Sequence, residues 1–191
     1  MIVFPNHSCE VIHYLSGDRY LLRRVADIEC SQAQFDRITS ICNEPIVFTS
    51  VFSKLFPDGR YPEAAARSFI KWATEGWEQG THFVFATLDS KGFVVSTCDI
   101  KSNQKEDAEI GYLCSAAHTG VMTNSLAAML KLAVEAGFQS FSARVRVDNT
   151  ASQRVLDRLG FERDKEPPPG SKLLHYRAAK ASVLREQVSR G

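Results

Sequence analysis

No run of eighteen apolar residues occurs in this 191-residue chain, which argues against a membrane-spanning helix. Net charge is almost absent too. The 23 Lys and Arg against 22 Asp and Glu leave +1, so no global field selects nucleic acid or an acidic membrane. A basic stripe interleaved with aromatics, the mark of a nucleic-acid binder, is missing. Cysteine is scattered. Cys9, Cys30, Cys42, Cys98 and Cys114 form no CxxC pair and no Cys/His cluster, so nothing points to a metal. The start, "MIVFPNHSCEVIHYL", has no basic segment followed by a long apolar run and does not read as a signal peptide. With it, an odd cysteine count points to reduced thiols in the cytoplasm. Internal repeats and low-complexity tracts are lacking as well.

What is present suits one core and one domain: 44% of the residues are hydrophobic. "DRYLLRRV" (Asp18–Val25) reads as a strand. "SQAQFDRITSIC" reads as a helix, with Ser31 as N-cap, Gln34 completing a capping box, and Phe35, Ile38, Ile41 and Cys42 on one face. The stretch Asn43–Tyr61 is unusually apolar for a loop. It reads either as a short core helix or as a wall over a substrate pocket. "PEAAARSFIKWATEGW" is an amphipathic helix with proline in its first turn. Two β-rich runs flank "DSKG" as a hairpin. Then follow the strand "AEIGYLC", the helix "TNSLAAMLKLAVEAGF" stopped by Gly137, and the alternating strand "SFSARVRV". "TASQRVLDRLGF" reads as a helix with a Thr150/Gln153 capping box and Gly160 at its end. A loop, "EPPPGS", a last strand, "KLLHYRA", and a tail from about Lys180 complete the chain. The order is βααββ, then βαβαβ, which implies a mixed α/β sheet covered by helices.

Three segments in fixed order resemble a known family: "DRYLLRRV", "AEIGYLC…HTGVMTNSLAAMLKLAVEAGF" and "RVRVDNTASQRVLDRLGFER". They look like the GNAT N-acetyltransferase superfamily, nearest its branch of ribosomal-protein alanine N-acetyltransferases. The resemblance covers roughly residues 18–178 and leaves 1–17 as an N-terminal extension and 179–191 as a C-terminal tail. It implies an α+β type of α/β fold. That fold has a mixed, largely antiparallel sheet of six to seven strands, about four covering helices and a splayed cofactor cleft. It also implies acetyl-CoA as co-substrate and no metal. A peptide or small-molecule amine would be the acceptor, and the protein would be a monomer or homodimer.

By this resemblance, Leu113, Cys114 and Ser115 offer backbone hydrogen bonds to the pantetheine arm. The pyrophosphate sits where the next helix begins, at His118, Thr119, Gly120, Val121 and Met122. A helix start presents unpaired N–H groups and partial positive charge, which favour an anion. The loop departs from the family pattern of Gln or Arg, two residues, Gly, one residue, then Gly or Ala. With Gly120 last, the other positions fall on Ser115 and His118; with Gly120 first, the partners are Ala117 and Met122. The interval from Tyr112 to Met122 is also shorter than the family's by about two residues, each a potential N–H donor. His118 either compensates as a cation or neutral donor, or is a surface histidine touching nothing.

Asn149 would bond the cofactor arm, or simply cap a helix. Ser152 would stand near the thioester sulfur and protonate the leaving thiolate. No tyrosine follows one turn later, where Val155 and Leu156 stand instead. Direct transfer needs a neutral amine, and amines are mostly ammonium at neutral pH. Glu109, matching the family's "E-I-G-Y" glutamate, is the expected base, with Asp99 and Glu106 as competitors. A backbone N–H of "YLC" would stabilise the oxyanion, and Cys114 reads as a buried strand cysteine. The expected function is direct-attack N-acetyltransfer to a protein N-terminus or small amine. The alternative is a non-catalytic GNAT-fold binding or regulatory module with an altered loop.

Overall fold

The computed structural model describes residues 2–13, 16–164 and 171–180. Its strands are β1 (Ser8–Ile12), β2 (Arg19–Arg24), β3 (Phe83–Leu88), β4 (Val94–Ile100), β5 (Ala108–Cys114), β6 (Ser140–Arg146), β7 (Glu162–Arg163) and β8 (Leu173–Ala179). Its α-helices are α1 (Gln32–Cys42), α2 (Pro45–Val47), α3 (Glu63–Gln79), α4 (Val121–Glu135) and α5 (Thr150–Arg158). The strands form one sheet in the order β1-β2-β3-β4-β5-β6-β8-β7. Every pairing is antiparallel except β5 with β6.

Among the described residues the sheet thus has eight strands rather than six or seven, with five α-helices rather than about four. Sequence periodicity missed β7, whose two residues are below the length at which a pattern is visible, while α2 falls in the stretch Asn43–Tyr61, for which a short helix was one of the two readings. No element was read into the first seventeen residues. There β1 adds a strand to β2, and Phe4 is buried against Trp77 and Phe83 at ring distances of 5.0 and 4.9 Å. The loop read at 166–171 lies outside the described residues except for Ser171, as does the tail beyond Lys180.

The core has two layers, one on each sheet face. Helix α4 is apolar almost all round, and Leu126, Met129 and Leu130 pack against Cys98, Ile100 and Ile110. On the other face, α1 and α3 cover Val84, Ala86 and Val94. Side chains alternate along each strand, so from Ser96 onward odd residues of β4, and odd residues of β5, face the α1/α3 side and even ones face α4; the register shift at Thr87/Leu88 puts Val94 on the α1/α3 side.

Of the two expected capping boxes, one closes halfway and the other does not form. Ser31 accepts from the Gln34 N–H, but the Gln34 side chain turns inward to Gly92 O and Val94 N, tying α1 to the β3–β4 hairpin. Helix α5 is capped one residue earlier than expected, by Asn149 Oδ1 on the Ser152 N–H. Gln153 instead donates to the carbonyls of Arg146 and Val147. At "DSKG" the turn forms as expected, with Asp89 Oδ1 accepting from Lys91 N and Phe93 N.

Candidate functional site

Strands β5 and β6 pair only at Ala108–Phe141 and Glu109–Ser142, and then they part. Beyond that point the β5 backbone has a partner on one side alone. Glu109 O accepts from Lys101 N, and Ser115 N donates to Val95 O, so odd residues turn their backbone groups towards β4. Alternation leaves the even residues, Ile110, Tyr112 and Cys114, with backbone groups turned into the gap. Of the three residues expected to hold the pantetheine arm, Cys114 is so placed, whereas Leu113 and Ser115 face β4. Tyr112 joins Cys114. Parity is fixed by the neighbouring pairing, which no motif reveals.

A strut spans the gap, where the Tyr112 hydroxyl donates to the Ser152 carbonyl at 3.0 Å. Asn149, Ser152, Tyr112 and Leu113 line two cavities at once and form the boundary between them. One cavity, of about 380 Å³, runs past Cys114 and Ser115 to Gly120 and Met122. The other, of about 480 Å³, lies on the α1/α3 face and is lined by Asp99, Gly111 and a set of aromatics. The stretch Asn43–Tyr61 is helical here. It forms α2 and a π-helical turn at Phe48–Phe52, and it is also a wall, since Ser50 and Val51 line both cavities.

The loop before α4 differs from the expected cradle. Gly120 takes φ +104°, and a Cβ there would lie 2.5 Å from His13 Nε2, so glycine is required. Helix α4 starts with no side-chain cap, which leaves its first N–H groups to a ligand. The Val121 side chain is buried in the core, so that residue offers only its backbone. Thr119 hydrogen-bonds back to Ala116 O, and its own carbonyl lies 2.9 Å from His13 Nε2.

His118 matches neither alternative. Its Nε2 is 3.1 Å from an Arg37 nitrogen and its Nδ1 3.1 Å from the Tyr20 hydroxyl. Arginine only donates, so Nε2 must accept and Nδ1 carries the proton. Burial, and then the Arg37 charge, hold His118 below its ordinary pKa. It is therefore a neutral ring pinned inward. Protonation would set two cations against each other. This brace is intact above about pH 6.5, and its stabilisation is lost as pH falls towards the lowered folded value.

An anion already sits on the loop. Glu44, just before α2, accepts from Ser115 Oγ and Ala116 N, both at 2.6 Å. Its carboxylate takes donors that a phosphate would use. Across the cavity, Arg154 and Arg158 project from successive turns of α5. This pair was not anticipated from the sequence. Only the docking of α5 beside α4 brings two guanidiniums opposite a helix start. The parted strands, the uncapped helix and the paired arginines together suit a long thiol cofactor with phosphates at one end.

The carboxylates divide clearly. Glu109 lies where β5 and β6 still pair, held by Lys101 at 2.6 Å and Arg144 at 2.7 Å. Burial works to raise its pKa, but these two partners outweigh that and hold it below the ordinary value. A lowered pKa makes it a weaker base than an ordinary glutamate. Asp99 pairs in register with Gly111, where no side chain intervenes; a Cβ there would sit 2.6 Å from Asp99 Oδ1. It lines the larger cavity beside the strand boundary. Burial pushes it up to about 6, with Lys101 lowering and Glu109 raising it. Glu106 is exposed and lines neither cavity. Burial pushes the Cys114 thiol up to about 12, and its Sγ rests on the carbonyls of Ser115 and His118, so it is inert. Among the described residues no His/Cys/Asp/Glu group could hold a metal, and no helix is long and apolar enough to cross a membrane.

A family model described as an acetyltransferase (GNAT) domain matches residues 21–162. Among solved structures, RimJ of Mycobacterium smegmatis, in complex with a CoA disulfide, matches with TM-score 0.69 and 20% identity over 97% of this chain and 95% of its own. RimL, a ribosomal L7/L12 alpha-N-protein acetyltransferase in complex with coenzyme A, gives 0.67 and 17% over 90% and 99%. The microcin C7 self-immunity acetyltransferase MccE, in complex with acetyl-CoA and AMP, gives 0.65 and 18% over 84% and 92%. These likenesses are to the fold. No curated protein matches the chain.

Proposed function

We propose that this chain, which belongs to the GNAT acetyltransferase family, moves an acetyl group from acetyl-CoA to a primary amine by direct attack. One observation carries the reading. The cavity that ends at an uncapped helix start and two arginines meets, at Tyr112 and Ser152, a second cavity holding a carboxylate with raised pKa. Acetyl-CoA supplies the acetyl group as a thioester. The backbone of Tyr112 and Cys114 holds the pantetheine arm, while the start of α4, Arg154 and Arg158 hold the phosphates. Asn149 and Ser152 close the junction.

In the larger cavity Asp99 takes the proton of the incoming amine. A carboxylate with a pKa near 6 is a better base for this than an ordinary aspartate. Charge developing on the carbonyl oxygen is met by a backbone N–H of Tyr112 or Cys114 turned into the gap. The Ser152 hydroxyl hands a proton to the departing thiolate. Glu109 has no part in proton transfer; with Lys101 and Arg144 it fixes the closed end of the cleft.

The test is a turnover screen with acetyl-CoA against amines and peptides. Glu109→Gln is expected to keep kcat within about threefold of wild type, because its role is an exposed ion-pair network worth little. A loss of a hundredfold or more would return the base role to Glu109.

A second reading, a GNAT-fold module that binds or regulates without turnover, is favoured by Glu44 alone, since its carboxylate sits on loop donors. Glu44→Gln removes a negative charge beside the phosphate seat. It is expected to tighten CoA binding about three- to tenfold by calorimetry. No heat on titrating CoA into either protein would support the second reading.

A further inference from the structure

We infer that the acceptor is a small primary amine carried on an aromatic or bulky apolar body, and that Trp72, Phe69, Phe52 and Val51 select it. This rests on the proposed acetyl transfer and concerns only the occupant of the larger cavity.

The walls of that cavity are rings held in fixed planes. Trp72 stacks on His82 at 4.0 Å and 20°, and Phe69 lies 6.0 Å from it. Phe52 packs 4.6 Å from the Tyr61 ring. Trp72, Phe69 and Phe52 all line the cavity. Val51 and Trp72 remain 45% and 43% exposed although both line it. Large apolar surface left uncovered in a concave site is surface that a ligand covers.

Charge in the cavity is asymmetric in a useful way. Among the described residues Asp99 is the one carboxylate on its lining, and the lining cations are already paired, Lys101 and Arg144 with Glu109 and Arg146 with Asp148. An ammonium entering near Asp99 meets a charge partner at the reacting end and ring faces along the rest, which also attract cations. A small polar side chain, such as that of an N-terminal serine, would leave the rings uncovered and its own hydroxyl without a partner among them. The volume of about 480 Å³ suits a compact molecule. With a formal net charge of only +1, the chain has no strong field to steer a protein partner.

The experiment compares kcat/KM for acetylation of 2-phenylethylamine, ethylamine, and peptides beginning with Phe, Ser or Ala, beside calorimetric titration of CoA. The phenyl amine is expected to exceed ethylamine and every peptide by at least about tenfold, the usual size of apolar-pocket discrimination. Trp72→Ala, at a half-exposed position, is expected to raise KM for 2-phenylethylamine about tenfold with kcat within about twofold and CoA affinity unmoved. Phe69→Ala, at a residue that lines only this cavity of the two, should act in the same direction. Equal rates for ethylamine, or a preference for any of the peptides, overturns the inference while leaving acetyl transfer standing. Acetylation of none of these amines, with CoA still binding, overturns both.

Discussion

Asp99→Asn is expected to lower kcat/KM for acetyl transfer by about a hundred- to ten-thousand-fold, the range for losing a positioned base. The same variant should be more stable than wild type at pH 7.5. Asp99 has its pKa raised from the ordinary carboxylate value to about 6, because burial disfavours its charged form. A raised folded value contributes stability that is fully present below about pH 4 and lost as pH rises through 6. The shift corresponds to about 3 kcal/mol at most. Asparagine escapes that loss. Thermal unfolding should show a higher Tm for Asp99→Asn at pH 7.5 and little difference near pH 4. In wild type, kcat/KM should rise with pH through an inflection near 6, a value raised mainly by burial, with the charged neighbour Lys101 lowering it and Glu109 raising it. Gain of stability with loss of activity marks a group kept for chemistry at the expense of the fold.

Reversing the α5 charges, Arg154→Glu with Arg158→Glu, is expected to weaken CoA binding about a hundredfold or more, by calorimetry. Arg154 and Arg158 line the same cavity as Gly120 and Met122 at the start of α4, and each charge-assisted contact to a phosphate is worth a few kcal/mol when well placed. Both are exposed on α5, so the fold should survive. Two controls separate phosphate recognition from general damage. Pantetheine, which lacks the pyrophosphate, should bind both proteins alike. The wild-type affinity for CoA should also fall with added salt more steeply than the variant's. Equal CoA affinity in both proteins would place the phosphates elsewhere.

The frame of the fold was legible because its long elements carry clean periodicities. The α1 face of Phe35, Ile38, Ile41 and Cys42, the apolar α4 and the alternation of β6 all formed as read. The site was legible only in outline. The motif around Tyr112 and the one around Ser152 do meet at one boundary. Their detailed roles depend on relations that sequence does not carry. Which β5 backbone groups face the gap depends on parity with β4. Whether Glu109 or Asp99 is the better base depends on which carboxylate finds cations, and Lys101 just past β4 and Arg144 on β6 are far apart in the chain. His118 looked like a phosphate ligand because it stands in the loop, yet Arg37, 81 residues away, holds it. Glu44 at the loop and Arg154 and Arg158 across it are long-range placements of the same kind, invisible to local spacing.

The most direct measurement is a single turnover assay, at pH 7.5 and saturating acetyl-CoA, comparing wild type, Asp99→Asn and Glu109→Gln on the best amine from the acceptor screen. Wild type and Glu109→Gln are expected to form acetylated amine at similar rates, with Asp99→Asn slower by at least about a hundredfold. Full activity in Asp99→Asn, or its loss in Glu109→Gln alone, would contradict Asp99 as the base.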